Sequence, residues 1–302
     1  MKLGRSDLAD FVYFLAIARH RSFRRAGLEV GVTPSAISHA LKGLEERMGV
    51  RLVNRTNRSV TLSAAGEQLQ AALCGPFDAI GEAVDDLNRF REVPSGRIRL
   101  NVTMDAAALL IAPVMGEMAE RYPKLEIDIV ATNRMVDITS EGFDAGIRHG
   151  GTVPEDMIAQ RLSADIRWAV AAAPAYLDRF GIPQHPDDLQ HHRCLGVRLG
   201  DDRVYRWEFK GPEGEFDIAV PSHITADDSR TMMAMAIAGA GLTYGNTSAM
   251  ERDLRAGLLR TVLDDWAIDG PGYHIYYSSR RQVPTGLKLL IELIRELRPL
   301  GL

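Results

Sequence analysis

Two groups of side chains in this 302-residue sequence have the types and spacing to do chemistry. The first is Ser35, Ser38, His39 and Lys42, followed by the stretch Arg55-Thr56-Asn57-Arg58. Steps of three and four gather the first four residues onto one helical stripe. Such a stripe can exchange hydrogen bonds with base edges in a DNA groove, and nearby arginines can hold phosphate. The same pattern also fits an ordinary solvated helix surface. The second group is His185, His191, His192 and Cys194, close enough in sequence to imitate a metal cluster. Zinc needs ligands that converge, and neighbouring histidines in an ordinary loop give little sign of that, so no metal is expected. No GxSxG elbow, GxxxxGK[ST] phosphate loop or HExxH helix occurs, so no catalytic residue, cofactor or enzyme activity is expected.

The elements that must position the first group are legible. Leu8, Phe11, Val12, Phe14, Leu15 and Ala18 recur at helical spacing. Ser22 is a natural cap for a short second helix to about Val30, which Gly31 ends. Thr33 caps a third helix, with Pro34 at the first helical position where its missing N–H costs nothing. That helix runs to about Met48, with Ile37, Ala40, Leu41 and Leu44 facing inward. Two short helices joined by a Gly-containing turn make a helix-turn-helix. Two β-prone runs between Gly49 and Leu62 then flank the turn-forming Arg55–Arg58 stretch, a hairpin with two arginines at its tip. Residues 1–61 hold eleven lysines and arginines against five acids, while the whole chain is at -4. A basic head on an acidic body suggests that a polyanion meets the head, although a chance fluctuation could give the same asymmetry.

Residues 7–67 resemble the DNA-binding domain of the LysR-type transcriptional regulators. The resemblance is carried by Ser22-Phe23, Ala26, Val32-Thr33-Pro34-Ser35-Ala36-Ile37-Ser38, Leu44-Glu45, Gly49-Val50-Arg51-Leu52, Arg55 and Thr61-Leu62-Ser63-Ala64-Ala65-Gly66. One departure is Gly27, where the family commonly has a second alanine; by helix propensity it costs up to about 1 kcal/mol. Together with the stripe, the resemblance implies DNA contacts by Ser22, Arg24, Thr33, Pro34, Ser35, Ser38, His39, Lys42, Arg55, Asn57 and Arg58.

Beyond Leu62, the apolar residues Leu69, Leu73, Phe77, Ile80, Val84, Leu87 and Phe90 predict a helix of about 28 residues with one seam, kinked at Gly75-Pro76. The seam suits the same helix of a second chain, or else the protein's own body. The resemblance implies a homodimer or homotetramer. Glu92-Val93-Pro94-Ser95-Gly96 reads as a hinge.

The rest alternates β-prone and helical runs: Arg97–Val102, a helix from about Ala107 to Arg121, Leu125–Val130, a short helix, and Ala145–Arg148, implying parallel βαβ units. Later strands fall at Asp165–Ala171, Cys194–Val197, Val204–Phe209, Leu242–Tyr244 and Gly272–Ser278, with a last helix at Thr285–Leu297. Glu141–Arg148, Pro174–Leu177 and Tyr277–Pro284 look like the effector domain of the same family, which is similar to periplasmic binding proteins.

The fold class is therefore α+β in two parts: a winged helix-turn-helix, a long linker helix, and a two-lobed α/β effector domain. The divisions are 1–62, 63–94 and 95–302, with lobe I at about 95–165 and 270–302 and lobe II at about 166–269. Ligands of open α/β sheets lie beyond the carboxyl ends of the strands. That selects Thr103, Met104, Asp105, Thr132, Asn133, Arg148 and His149 from the first lobe, and Arg198, Ser229 and Thr243 from the second. Thr103 and Asp105 could instead only cap a helix, and Arg148 could form an interlobe ion pair. A carboxylate at a helix start repels anions, so Asp105 predicts an effector that is neutral, cationic or hydroxyl-rich at that end.

The expected partners are double-stranded DNA, a small-molecule effector and further copies of the chain. Asp7 and Asp10 interrupt the apolar N-terminus, which does not read as a signal peptide, and no run approaches the length of a membrane span. Cys74 and Cys194 form no CxxC pattern. A cytoplasmic location is expected, and a periplasmic solute receptor would leave the basic head unexplained.

Overall fold

Capping chemistry shapes the N-terminal unit. The structure, a computed structural model, describes residues 5–55, 59–85, 87, 93–198, 203–278 and 283–302. Asn57, Arg58, Phe90 and Glu92 of the sequence expectations lie outside the described residues. Helix α1 spans Arg5–His20, α2 Phe23–Val30 and α3 Pro34–Met48. The Ser22 hydroxyl accepts from the Arg25 N–H at 3.4 Å and the Thr33 hydroxyl from the Ala36 N–H at 3.2 Å. Phe11, Phe14 and Ile17 of α1 pack with Ala26, Ile37, Leu41 and Leu44 in one core. Each large side chain buried there contributes roughly 1.5–3 kcal/mol. Arg47 near the end of α3 pairs with Asp7 at 2.9 Å and Asp10 at 2.5 Å, tying the third helix to the first.

Gly27 corrects the propensity argument. A Cβ there would stand 2.6 Å from the Val32 carbonyl oxygen, while the Val32 N–H donates to the Gly27 carbonyl at 2.9 Å. The glycine lets the turn before α3 close tightly, so its helix cost has a local return.

Strand β1 (Val53–Arg55) pairs antiparallel with β2 (Val60–Leu62). The Glu45 carboxylate of α3 accepts from the Leu52 and Val53 N–H groups at 2.8 and 3.0 Å, which fixes this wing against the third helix. Helix α4 (Ala64–Asp85) continues through Pro76. Its seam divides: Leu69, Leu73 and Phe77 pack on the head's own core, whereas Ile80, Val84 and Leu87 are about half exposed, at 57%, 53% and 50%.

The chain divides into two compact units, Met1–Arg91 with Ser140–Gly142, and Glu92–Thr139 with Phe143–Leu302. In the second, β3 (Ser95–Val102) leads to a helical stretch that Thr103 caps by accepting from the Ala106 N–H at 3.2 Å. The single helix anticipated over Ala107–Arg121 starts earlier and changes pitch, from α5 (Met104–Ala106) through a π turn at Ala107–Ile111 and a 3₁₀ turn at Ala112–Val114 to α6 (Met115–Arg121). Pro113 lacks the N–H that an uninterrupted α ladder needs. Strands β4 (Lys124–Ala131), β5 (Ala145–His149) and β6 (Met157–Arg161) follow.

The second lobe holds β7 (Ile166–Ala172), α7 (Pro174–Phe180), β8 (Cys194–Val197), the hairpin β9 (Trp207–Gly211) and β10 (Gly214–Ile218), then β11 (Ser222–Ala226) and α8 (Ser229–Ile237). It is completed by β12 (Thr243–Asn246), α9 (Thr247–Arg255), β13 (Arg260–Val262) and β14 (Ile268–Gly270). Strands β12, β13 and β14 all run antiparallel to β7, so this lobe is not built from parallel units alone. Strand β15 (Tyr273–Ser278) then returns to the first sheet, and α10 (Thr285–Leu297) buries Leu287, Leu290 and Ile294 on it. The order there is β4-β3-β5-β15-β6: β3 is parallel to β4 and β5, and β15 is antiparallel to both its neighbours.

Candidate nucleic-acid interface and ligand cleft

On the outer side of α3, Ser35, His39 and Lys42 are exposed and Ser38 is half-buried. Lys42 pairs only loosely with Glu46, at 3.6 Å one turn on. Arg55, at the end of β1, donates to the Ser38 hydroxyl at 2.8 Å, and its guanidinium carbon sits 4.6 Å from the centroid of the Phe23 ring. Arg55, expected at the tip of a hairpin beside the third helix, ends β1 and meets Ser38 of the helix stripe. Ser22 and Thr33 spend their hydroxyls as caps, Pro34 is exposed at the first position of α3, and Arg24 is exposed on α2. This surface presents hydroxyl groups, one imidazole and exposed cations along one helix, a combination suited to a polyanion with readable edges. Phe23 was missed as a site residue because an aromatic in the sequence Ser22-Phe23 reads as core.

In the second unit, a carboxylate joins the lobes. The Ser229 hydroxyl at the start of α8 donates to Asp105 Oδ1 at 2.7 Å. Asn133 bridges similarly: its carbonyl accepts from the Met104 N–H at 3.3 Å and its amide donates to the Asp227 carbonyl at 2.8 Å. Burial raises the pKa of Asp105, with the Ser229 hydrogen bond opposing. So Thr103 does cap a helix, whereas Asp105 does more than that and reaches across. His149 stacks on Tyr273 at 4.3 Å and meets Trp168 edge-on at 5.2 Å. Burial, aided by the neighbouring Arg148 charge, lowers its pKa to about 4 and keeps the imidazole neutral. The buried Asn246 caps α9 through its carbonyl, which accepts from the Ser248 N–H at 2.8 Å, and leaves its amide nitrogen without a partner.

Not every candidate joins this group. Thr132 turns its hydroxyl to the Arg134 N–H at 3.2 Å, Arg198 is exposed and donates to Thr225 at 3.1 Å, and Thr243 is buried in β12. Arg148 is buried, forms no interlobe ion pair among the described residues, and lies on the opposite face of its strand from His149. Trp168, Tyr273, Asn246 and Asp227 escaped the sequence; an Asn ending a β-prone run just before a helix was the one available signal. Among the described residues no group of three or more His, Cys, Asp or Glu is placed to hold a metal. His185 caps a 3₁₀ turn, His192 bonds the Tyr176 hydroxyl at 3.2 Å, and burial pushes the Cys194 thiol up to about 12. No helix among the described residues is long and apolar enough to cross a membrane.

Two family models match the chain: the LysR substrate binding domain over residues 91–299 and the bacterial regulatory helix-turn-helix protein, lysR family, over residues 8–67. The chain belongs to the LysR family of transcriptional regulators. Relatives of this LysR regulator include an uncharacterized HTH-type transcriptional regulator of Escherichia coli, YcaN, 36% identical, with 96% of this chain and 95% of that protein covered. Another is the E. coli regulator PgrR, 32% identical with 97% and 98% covered. Among solved structures, CrgA of Neisseria meningitidis superposes with a TM-score of 0.61 at 26% identity, over 98% of this chain and 99% of that one. Full-length AphB of Vibrio cholerae shares the fold, with a TM-score of 0.67 at 21% identity over 99% and 100%. This LysR regulator is thus a DNA-binding transcription regulator with a substrate-binding domain, and its relatives are regulators rather than enzymes.

Proposed function

We propose that the protein reads DNA with the outer stripe of α3 and is controlled by a small molecule bound where Asp105 meets Ser229. Ser35, Ser38, His39 and Lys42 enter the major groove, while Arg24, Arg55 and the hairpin residues Asn57 and Arg58 hold backbone phosphate. Ser22 and Thr33 shape the helix starts and approach the phosphates with backbone N–H groups, while Pro34 meets the backbone of the DNA with its ring. The observation that carries this reading is the exposed Ser35–His39–Lys42 stripe with Arg55 laid beside it.

The protein acts in the cytoplasm as a homodimer or homotetramer, joined through the exposed far half of α4. The domains run over 1–62, 63–94 and 95–302, with lobe II at about 166–269 inserted into lobe I, a reading that the element order supports. The effector touches Thr103, Met104, Asp105, Asn133, His149 and Ser229. With a carboxylate at the α5 start, it is neutral, cationic or hydroxyl-rich at that end. By replacing the Asp105–Ser229 bond it shifts the angle between lobes, alters the spacing of paired heads and so changes DNA bending.

A footprint on the DNA upstream of the gene, repeated with a metabolite library, tests both halves. A protected site whose length or hypersensitivity changes with one compound supports the reading, and absence of salt-sensitive binding to any duplex refutes it. Calorimetric binding of a small dicarboxylate whose affinity is unchanged by Asp105→Asn would exclude the proposed effector chemistry.

A further inference from the structure

Three neighbouring strands bring three buried polar side chains together in the first lobe. Asn101 on β3 and Tyr276 on β15 both stand opposite Gly146 of β5 in the strand register. All three therefore share one face of the sheet, and Arg148, two residues further along β5, shares it too. Gly146 has no side chain, and Tyr276 fills the space: a Cβ there would meet the phenol oxygen at 2.5 Å. Asn101, Tyr276 and Arg148 are 0%, 1% and 3% exposed. Ile138 and Phe143 pack with Tyr276 on this face and cover it with apolar surface.

The guanidinium of Arg148 donates to the Asn101 carbonyl oxygen, to the Arg134 carbonyl at 3.0 Å and to the Ile147 carbonyl at 3.0 Å. These acceptors are neutral. Among the described residues no carboxylate pairs with Arg148, although arginine cannot shed its proton in a protein. A buried charge without a counter-charge is costly. Three groups here also lack any partner: Arg148 Nε, Asn101 Nδ2 and the Tyr276 hydroxyl. Each of them can donate a hydrogen bond. A water molecule could accept from them yet would leave the charge uncompensated, whereas an anion answers both deficits.

We propose that this face of the first lobe is a buried binding site for a small monovalent anion, a halide or a carboxylate, held by Arg148, Asn101 and Tyr276. The site stands on the opposite face of the sheet from His149 and Tyr273, and it does not depend on the effector reading. Burial lowers the Arg148 pKa and raises that of Tyr276, so the phenol keeps its proton and can donate it.

The test is thermal unfolding of the full chain at fixed ionic strength, with sodium chloride or sodium formate replacing sodium gluconate, whose anion is too large to be enclosed. The wild type should gain stability saturably with chloride or formate. Asn101→Asp supplies a carboxylate beside Arg148; it should melt higher than wild type in gluconate and lose the saturable response. Tyr276→Phe keeps the ring and removes one donor, and should raise the half-saturating concentration at least about tenfold, the worth of one hydrogen bond to a charge. A response to formate alone assigns the site to carboxylates, and a response to both assigns it to monoanions generally. No saturable response in the wild type, or the same half-saturation in Tyr276→Phe, would overturn the proposal even if Asn101→Asp failed to fold.

Discussion

Arg55 of the wing donates to the Ser38 hydroxyl of the third helix at 2.8 Å, with its guanidinium carbon 4.6 Å from the Phe23 ring centroid. The residue proposed to hold phosphate and one proposed to read bases are thereby joined in the absence of DNA. Substitutions in contact do not add. Arg55→Ala, Ser38→Ala and the double variant, compared by fluorescence anisotropy on the operator, should show a coupling of about 1 kcal/mol. Losses that add within about 0.3 kcal/mol would mean that the pair separates on DNA.

The exposed residues of the same surface divide by role. Lys42→Ala and Arg24→Ala should weaken binding to operator and random duplex alike and reduce the salt slope by about one each. His39→Ala should instead change preference at one base pair, by roughly 1–3 kcal/mol. Competition titrations across a salt series distinguish the two behaviours.

Asp105 titrates above its ordinary value because it is buried between the lobes. A folded state with a raised carboxyl pKa binds the proton more tightly than the unfolded chain, so the associated stability is present at low pH and is lost as pH rises through the folded value. Asp105→Asn keeps an acceptor for Ser229 without the charge. It should melt above wild type at neutral pH, with the gap closing as the pH falls toward the ordinary value of 3.8. A gap that widens on acidification would contradict this.

His149 works with the opposite sign. Its pKa of about 4 lies below the ordinary 6.5, so as pH falls through 6.5 the unfolded chain takes up a proton that the folded one refuses. Stability is lost across that window, by up to about 3 kcal/mol. His149→Phe retains a ring against Tyr273, and its denaturant midpoint should fall less than that of wild type between the two values. Parallel curves would place the acid sensitivity elsewhere.

Ile80 and Val84 stand out from α4 at 57% and 53% exposure, beyond the stretch that packs on the head. Glutamate at both positions should lower the mass seen by sedimentation and spare the helical signal of the head. An unchanged mass would refute the proposed oligomer contact through α4.

The head was legible because its signals are local. Ser22, Gly31, Thr33-Pro34 and Gly49 each set the chain within a turn, by caps and left-handed glycines that any sequence window contains. The second lobe was less so. Strand β10 is exposed along most of its length and shows no inside-outside alternation, and β13 and β14 have three residues each. The cleft was half visible: Thr103, Asp105 and Ser229 were legible as candidates beyond strand ends, but Asp105 and Ser229 lie 124 positions apart and their direct bond exists only once two sheets close. Gly27 looked like a propensity fault because the backbone pressing on it belongs to the next turn. Nor could spacing show that Leu69, Leu73 and Phe77 serve the head while Ile80 and Val84 do not.

Strand β15 lies between β5 and β6 in the first sheet, so two strands made early in the second unit wait for one made almost at the end. During synthesis the ribosome must emit nearly the entire chain before this sheet can zip shut. A premature stop upstream of Tyr273 would leave β5 and β6 with bare edges, a template for aggregation and a target for quality-control proteases.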